Sequence, residues 1–313
     1  MKLKNKSVII TGAGSGIGKA CAQLFNQEGA NIVLADVNKE DLDKTIGTLN
    51  PKLNSLKYKC DVTSKKDTKN LVDFTVKSLG SLDILINCAG VNPRNAPKEY
   101  DFEEIWDWVL SVNLKGSYLM SYFAVEKMKE SGGGAILNIA SIIGLVGYDE
   151  EISSGLSSYA HSKGGVVQLT RDMAVGFAKS NIRVNSLCPG YVETKLTQQL
   201  FKDKKILKHV KSLHPMGRLA ELNEIANAAL FLCSDDASFI TGVNLKQSGN
   251  GSLGFAHRLP GRSSPVRRAS LGTPTKKPFG WSQRSPGRRP GQRQADNREC
   301  IRYGFFFRLR RHL

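Results

Sequence analysis

Tyr159 and Lys163 stand four residues apart in a stretch whose apolar spacing predicts a helix, so both side chains leave one helix face. A free tyrosine titrates near ~10, too high to exchange protons well at neutral pH. An ammonium beside it favours the phenolate and should draw that value toward the working range. Ser141, eighteen residues before Tyr159 and just past a strand pattern, is placed to hydrogen-bond a substrate oxygen and hold it for the tyrosine. These residue types suit proton transfer at an oxygen, with Tyr159 as both acid and base. Each has a plainer alternative: a Tyr-x-x-x-Lys pair arises by chance on many helices, and Ser141 reads equally as a loop serine.

A second cluster lies near the N-terminus. Thr11-Gly-Ala-Gly-Ser-Gly-Ile-Gly18 links a β-branched strand pattern to an amphipathic helix. A turn this tight needs residues tolerant of positive φ, and a pyrophosphate needs bare backbone N–H groups at a helix N-terminus. The spacing is G-x-x-x-G-x-G through Gly12, Gly16 and Gly18, not G-x-G-x-x-G, because position 17 is Ile. Alone, such a cluster also fits an ordinary flexible turn; between a first strand and a first helix it favours a dinucleotide. Asp36 ends the second strand pattern, 24 residues after Gly12, where a carboxylate can accept from both adenosine ribose hydroxyls and repel a 2′-phosphate. That favours NAD over NADP, although Lys39 is close enough to soften the repulsion, and a turn or capping aspartate is the other reading. Asp61 ends the third strand, placed either for an adenine amino group or for capping the helix that follows.

The elements that must position these groups alternate regularly. Strand patterns at 7–10, 31–35, 56–60, 83–86, 135–139, 183–187 and 240–245 are interleaved with helical patterns at 16–28, 39–49, 64–79, 102–114, 117–130, 159–179 and 222–233. Repeated β-α units imply an α/β fold, a doubly wound parallel sheet with helices on both faces. Ligands in such sheets bind beyond the strands' carboxyl ends, where strand order reverses. Asn87-Cys-Ala-Gly90 follows the fourth strand: Gly90 lets backbone approach the adenosine side of a cofactor, while Asn87 either braces the sheet or contacts the ligand. Pro189-Gly190 ends the sixth strand, and Val192 and Thr194 stand where a nicotinamide carboxamide would lie. Residues 195–211 read as a mobile lid with helical turns.

Composition narrows the class further. The net charge of +17 is concentrated at one end: from Gly251 onward there are 15 Lys/Arg against 2 Asp/Glu, leaving the first 250 residues nearly balanced. The body therefore does not read as a nucleic-acid or membrane binder. Residues 251–313, rich in Pro, Gly, Ser and Arg, read as a disordered tail beside a single domain at 1–250. The six cysteines include no CxxC pair and no neighbouring His at ligand spacing, so buried thiols in a reducing compartment are expected and a metal site is not. The first residues lack the apolar core of a signal peptide, and no apolar run approaches the ~20 residues that span a bilayer. The expected compartment is the cytoplasm.

The glycine turn, Asn87-Cys-Ala-Gly90, Ser141, Tyr159-Ala-His-Ser-Lys163 and Pro189-Gly190 together resemble the short-chain dehydrogenase/reductase family, over roughly residues 1–247. The stretches His214-Pro-Met-Gly-Arg218 and Ser238-Phe-Ile-Thr-Gly242 are similar to those of oxoacyl-carrier-protein reductases and of sugar or polyol dehydrogenases. The resemblance implies hydride transfer between a nicotinamide cofactor, NAD before NADP, and a secondary alcohol or ketone. It implies a catalytic set of Asn113, Ser141, Tyr159 and Lys163, in which Asn113 holds a water that links the lysine to solvent and Lys163 also binds the nicotinamide ribose. On composition alone Asn113 is equally a helix-interior polar residue. The implied cofactor cradle adds Ser15, Ile17, Val62 and Ala89 to the glycines, Asp36, Asp61 and the other positions above. Relatives are dimers or tetramers, so a homo-oligomer acting on a small molecule is expected.

Two departures stand out. Tyr148 to Gly155 looks like an insertion beside the substrate, with an acidic run at 149–151 that is either solvated loop or a gate against anions. Lys246-Gln247-Ser248-Gly249-Asn250 replaces the family's usual closing turn, which puts completion of the site and of a tetramer in question. An alternative reading is a dinucleotide-binding sensor or scaffold without turnover; nucleic-acid binding through the tail is a weaker one. Substrate choice is expected to reside in the loops at 92–100, 142–157 and 191–212.

Overall fold

A computed structural model describes residues 1–153 and 155–247; the basic tail expected to be disordered lies outside the described residues. Seven strands form one all-parallel sheet in the order β3-β2-β1-β4-β5-β6-β7. They are β1 (Ser7–Thr11), β2 (Asn31–Asp36), β3 (Ser55–Lys59), β4 (Ile84–Asn87), β5 (Gly134–Ile139), β6 (Ile182–Pro189) and β7 (Asn244–Gln247). The central strands are apolar on both faces, as a sheet covered by helices requires: Val8, Ile10, Ile32, Leu34, Ile84 and Ile86 face one side and Ile9, Val33, Leu85, Ile136 and Val184 the other. The first side is covered by α1 (Gly16–Gln27) and α8 (Leu222–Cys233), packed on each other. The second is covered by α3 (Lys65–Leu79), α5 (Gly116–Glu130) and α6 (Ser158–Phe177). Three shorter helices, α2 (Lys39–Ile46), α4 (Phe102–Leu110) and α7 (Lys204–Ser212), lie nearer the strand ends. Strand order reverses between β1 and β4, the switch point expected to hold a ligand.

Three local expectations are corrected. The two helices expected at 102–114 and 117–130 are joined: α4 passes through a π-helical turn, Ser111–Lys115, directly into α5 with helical backbone throughout. Such a turn inserts one residue into the ladder and re-aims its side chains. Here it carries Asn113. The last strand begins at Asn244 and not at 240, because Ile240 to Val243 are occupied bonding the side chains and backbone of β6. Lys246 and Gln247 then pair with Cys188 and Pro189, and the Gln247 carbonyl accepts from Gly190 N at 2.9 Å. Lys246 and Gln247 thus extend the sheet edge, and the rest of the altered closing stretch lies outside the described residues. Finally, Ser64, not Asp61, caps α3, its hydroxyl accepting from Asp67 N.

Candidate active site

The carboxyl ends of β1, β2, β4, β5 and β6 open on one cleft of about 540 Å³. At its foot the glycine turn is fixed by contact as well as by conformation. Gly12 has φ +66°, and a Cβ there would lie 2.8 Å from Ala89 N. A Cβ on Gly18 would lie 2.2 Å from the Gly12 carbonyl oxygen. Gly18 therefore serves turn packing and is not in the cleft wall, whereas Gly12, Ser15, Gly16 and Ile17 are. Thr11 ties the turn to the next strand end, its Oγ1 accepting from Cys88 N at 3.0 Å and Ala89 N at 3.2 Å. Ser15 starts α1 with its hydroxyl free of any capping bond. A glycine-walled hollow at a helix N-terminus fits a pyrophosphate.

Asp36, Asp61 and Val62 form the far end of the cleft. The Asp36 carboxylate accepts from Gly14 N and Asn38 N, both at 3.0 Å, which hold it in place with further lone pairs to spare. Asp61 folds its own turn, accepting from Thr63 N and Oγ1 at 2.9 and 2.8 Å. Across the mouth Lys195 reaches Asp41 at the start of α2, 2.8 Å away, and holds that carboxyl below its usual range. Ala89, Gly90, Pro189, Gly190, Val192 and Thr194 line the remaining walls. Asn87 does not: its Nδ2 donates to Asn138 Oδ1 at 2.8 Å and Ser121 Oγ at 2.9 Å, and Asn138 in turn donates to Thr170. Of its two readings, the brace between β4, β5 and α5 is the one the side chain takes.

Ser141, Tyr159 and Lys163 meet at the other end. Ser141 starts a 3-10 turn, Ile142–Gly144, that lies flush on α6; a Cβ on Gly144 would come within 2.6 Å of the Lys163 backbone. The turn brings the Ser141 hydroxyl beside that of Tyr159. Lys163 is 5 % exposed; its Nζ donates to the Ile139 carbonyl at 2.7 Å and lies 5.7 Å from the centre of the Tyr159 ring. Asn113 is fully buried behind Gly90, its Oδ1 accepting from Val91 N at 2.8 Å and its Nδ2 donating to Ser162 Oγ at 3.0 Å. A Cβ on Gly90 would touch both Asn113 Oδ1 and Lys163 Nζ, at 3.3 and 3.6 Å, so that glycine is where the two approach.

The electrostatics differ from the expectation. Burial pushes the Tyr159 hydroxyl well above its ordinary range, against the smaller pull of the Ser141 hydrogen bond. Lys163 does not lower it: burial brings the lysine itself down to about 8, and its ammonium is turned to a backbone carbonyl. In the protein alone Tyr159 is thus a protonated acid at neutral pH.

The three loops expected to choose the substrate do converge. Beyond Tyr159 and Ser141 a cavity of about 50 Å³ is walled by Asn92 and Arg94, by Ile142, Ile143 and Tyr148, and by Tyr191, Leu196, Thr197 and Leu200. Sequence reasoning did not single out Arg94, Tyr191 or Lys195; an isolated cation or tyrosine in a loop carries no periodic signal. Within the acidic run Asp149 is half-buried against His209 of α7 while Glu150 and Glu151 are exposed, and Ile152 beyond them is buried with Tyr191 and Leu200.

A nucleotide cradle at the switch point of a doubly wound sheet, opening onto a Ser-Tyr-Lys cluster, defines a dehydrogenase-type oxidoreductase. A family model described as enoyl-(acyl carrier protein) reductase matches residues 12–249. The 3-oxoacyl-[acyl-carrier-protein] reductase FabG of Thermotoga maritima is 38% identical over 249 residues, covering 77% of this chain and 96% of its own. The NAD-dependent glycerol dehydrogenase of Listeria innocua is 37% identical over 243 residues, covering 78% and 92%. A solved structure described as a short-chain dehydrogenase/reductase from Burkholderia xenovorans superposes with a TM-score of 0.72 at 32% identity, covering 79% of this chain and 97% of that one. The chain belongs to the short-chain dehydrogenase/reductase family. Among the described residues no helix is long and apolar enough to cross a membrane.

Proposed function

We propose that this protein transfers a hydride between NAD(H) and a secondary alcohol or ketone, with Tyr159 as the general acid and base. The observation that carries the reading is the single continuous cleft that runs from Asp36 to Ser141 and Tyr159. The glycine turn, the uncapped Ser15 and Asp36 fit a dinucleotide, and the bound nicotinamide supplies or accepts the hydride. The chain's own residues do the rest. Ser141 holds the substrate oxygen at the Tyr159 hydroxyl. Tyr159 donates its proton to that oxygen as a carbonyl is reduced and takes it back as an alcohol is oxidised. Lys163, now donating to the Ile139 carbonyl, would hold the ribose of a bound dinucleotide and keep its charge beside Tyr159. Asn113, held to Val91 and Ser162, positions the water that returns a proton to the lysine.

NAD is favoured over NADP because Asp36 occupies the ribose end and the cation beside it, Lys195, is already paired with Asp41. Exposed Trp106, Tyr118 and Tyr122 on α4 and α5 support a homodimer or homotetramer. Fluorescence titration with NADH and NADPH, with turnover of small ketones and polyols, tests the reading. Tight NADH binding with turnover that collapses in Tyr159→Phe, cofactor affinity being kept, is the expected result. Binding without turnover on any substrate would favour a sensor or scaffold instead.

A further inference from the structure

The small cavity beyond Tyr159 has an unusual balance of donors and acceptors. Its wall carries one charged side chain, Arg94. Nη2 of Arg94 donates to the Ile152 carbonyl at 2.6 Å and the guanidinium lies close to the Tyr148 hydroxyl, which leaves N–H groups of its five to spare. Among the described residues Arg94 forms no ion pair. The acids that could have supplied one, Asp149 and Glu151, are turned onto His209, at 3.0 and 3.5 Å. Nearby, the Tyr191 hydroxyl is buried with no hydrogen-bond partner in a residue that is 8 % exposed, within the field of the Arg94 cation and, more weakly, of the Asp149 carboxylate. A half-buried cation without a counter-ion and an unmet buried hydroxyl both carry a free-energy cost. An acceptor-only group placed between them removes both.

Resting on the reading of the site as a carbonyl/alcohol oxidoreductase, we propose that the substrate carries a carboxylate, bound by Arg94 and Tyr191 in this cavity. The cavity is closed by Ile142, Leu196 and Leu200 and has room for only a few heavy atoms, so the carboxylate stands one or two carbons from the reacting carbon. The substrate class is a short 2- or 3-oxo acid and the matching hydroxy acid. On reduction the carbonyl carbon gains the hydride and its oxygen gains the Tyr159 proton; the carboxylate is unchanged.

The test compares 2-oxobutanoate and 3-oxobutanoate with their methyl esters, which keep the carbonyl and lose the charge. In the wild type one of the acids should exceed its ester in kcat/KM by about a hundredfold, a size typical of a site built on charged hydrogen bonds. Arg94→Gln should bring that ratio to about one and Tyr191→Phe should cut it about tenfold. Equal use of acid and ester by the wild type, or a preference that survives Arg94→Gln, overturns the proposal. Calorimetric binding of 2- and 3-hydroxybutanoate to the protein saturated with NAD gives a readout independent of turnover. Binding that Arg94→Gln weakens at least about tenfold supports the site even if no substrate is turned over, in which case only the enzyme reading fails. Absence of any such binding in the wild type, with NAD bound, overturns it.

Discussion

His209 on α7 faces Asp149 across 3.0 Å from its Nε2, while its Nδ1 lies 3.5 Å from Glu151. One side chain of α7 is thereby fixed to the loop that carries Tyr148 and Ile152. The contact spans the two segments that close the small cavity. Replacing His209 by Ala should free the lid without touching the dinucleotide cleft. The expected outcome is a rise in KM of about three- to tenfold with kcat little changed, the size of a partly exposed ion pair. A variant whose NADH affinity falls as much as its substrate affinity would contradict that division.

Lys163 sets a pH dependence of stability. Its folded value of about 8 lies below the 10.5 of the free side chain, so between these limits the unfolded chain holds more protons than the folded one. Stability therefore rises with pH across that window. Below about 8 the folded protein bears the full cost of a buried ammonium, roughly 3 kcal/mol from the shift alone. Lys163→Met removes it. Denaturant unfolding at pH 7 and pH 10 should show the wild type gaining on the variant by a quantity of that order, and an unchanged difference would refute the assignment.

Asp36 should govern the choice of dinucleotide. Asp36→Asn keeps an oxygen for Gly14 N or Asn38 N and removes the charge that a 2′-phosphate would meet. The ratio of NADPH to NADH affinity should rise about tenfold, as loss of one repulsion in a partly solvated cleft would give. Titration of both cofactors against wild type and variant checks this directly.

Gly18 predicts a coupled loss. A methyl group there would sit on the Gly12 carbonyl, 2.2 Å away, and only a shift of the whole turn relieves it. Gly18→Ala should cost roughly 2 kcal/mol or more, read as a fall in Tm of roughly 5 °C. NADH binding should weaken with it, although residue 18 does not line the cleft.

The order of elements, the parallel sheet and the nearness of Tyr159 to Lys163 were legible because they rest on short-range regularities. Period, turn residues and the four-residue step from Tyr159 to Lys163 all act within a few positions. What was hidden depends on distance in the fold. The proximity of Tyr159 and Lys163 was readable, but the dominance of burial over their mutual charge was not, since burial is contributed by every neighbouring element. The π-helical turn has no compositional mark; Ser111 to Leu114 read as the ordinary end of a helix. Arg94, Tyr148 and Tyr191 come from three separate loops, so nothing in their local sequence announces that they share a cavity. Asp149 likewise looked solvated until α7 supplied His209.

A single length of chain, 191–212, leaves the end of β6 and covers both compartments. Its Lys195 holds α2 at the dinucleotide end, and its His209 holds the inserted loop at the substrate end. Such a strap makes the two ligands thermodynamic partners: whatever free energy one spends in settling it, the other need not spend. Cofactor and substrate should then each tighten the other by the same factor, whichever binds first.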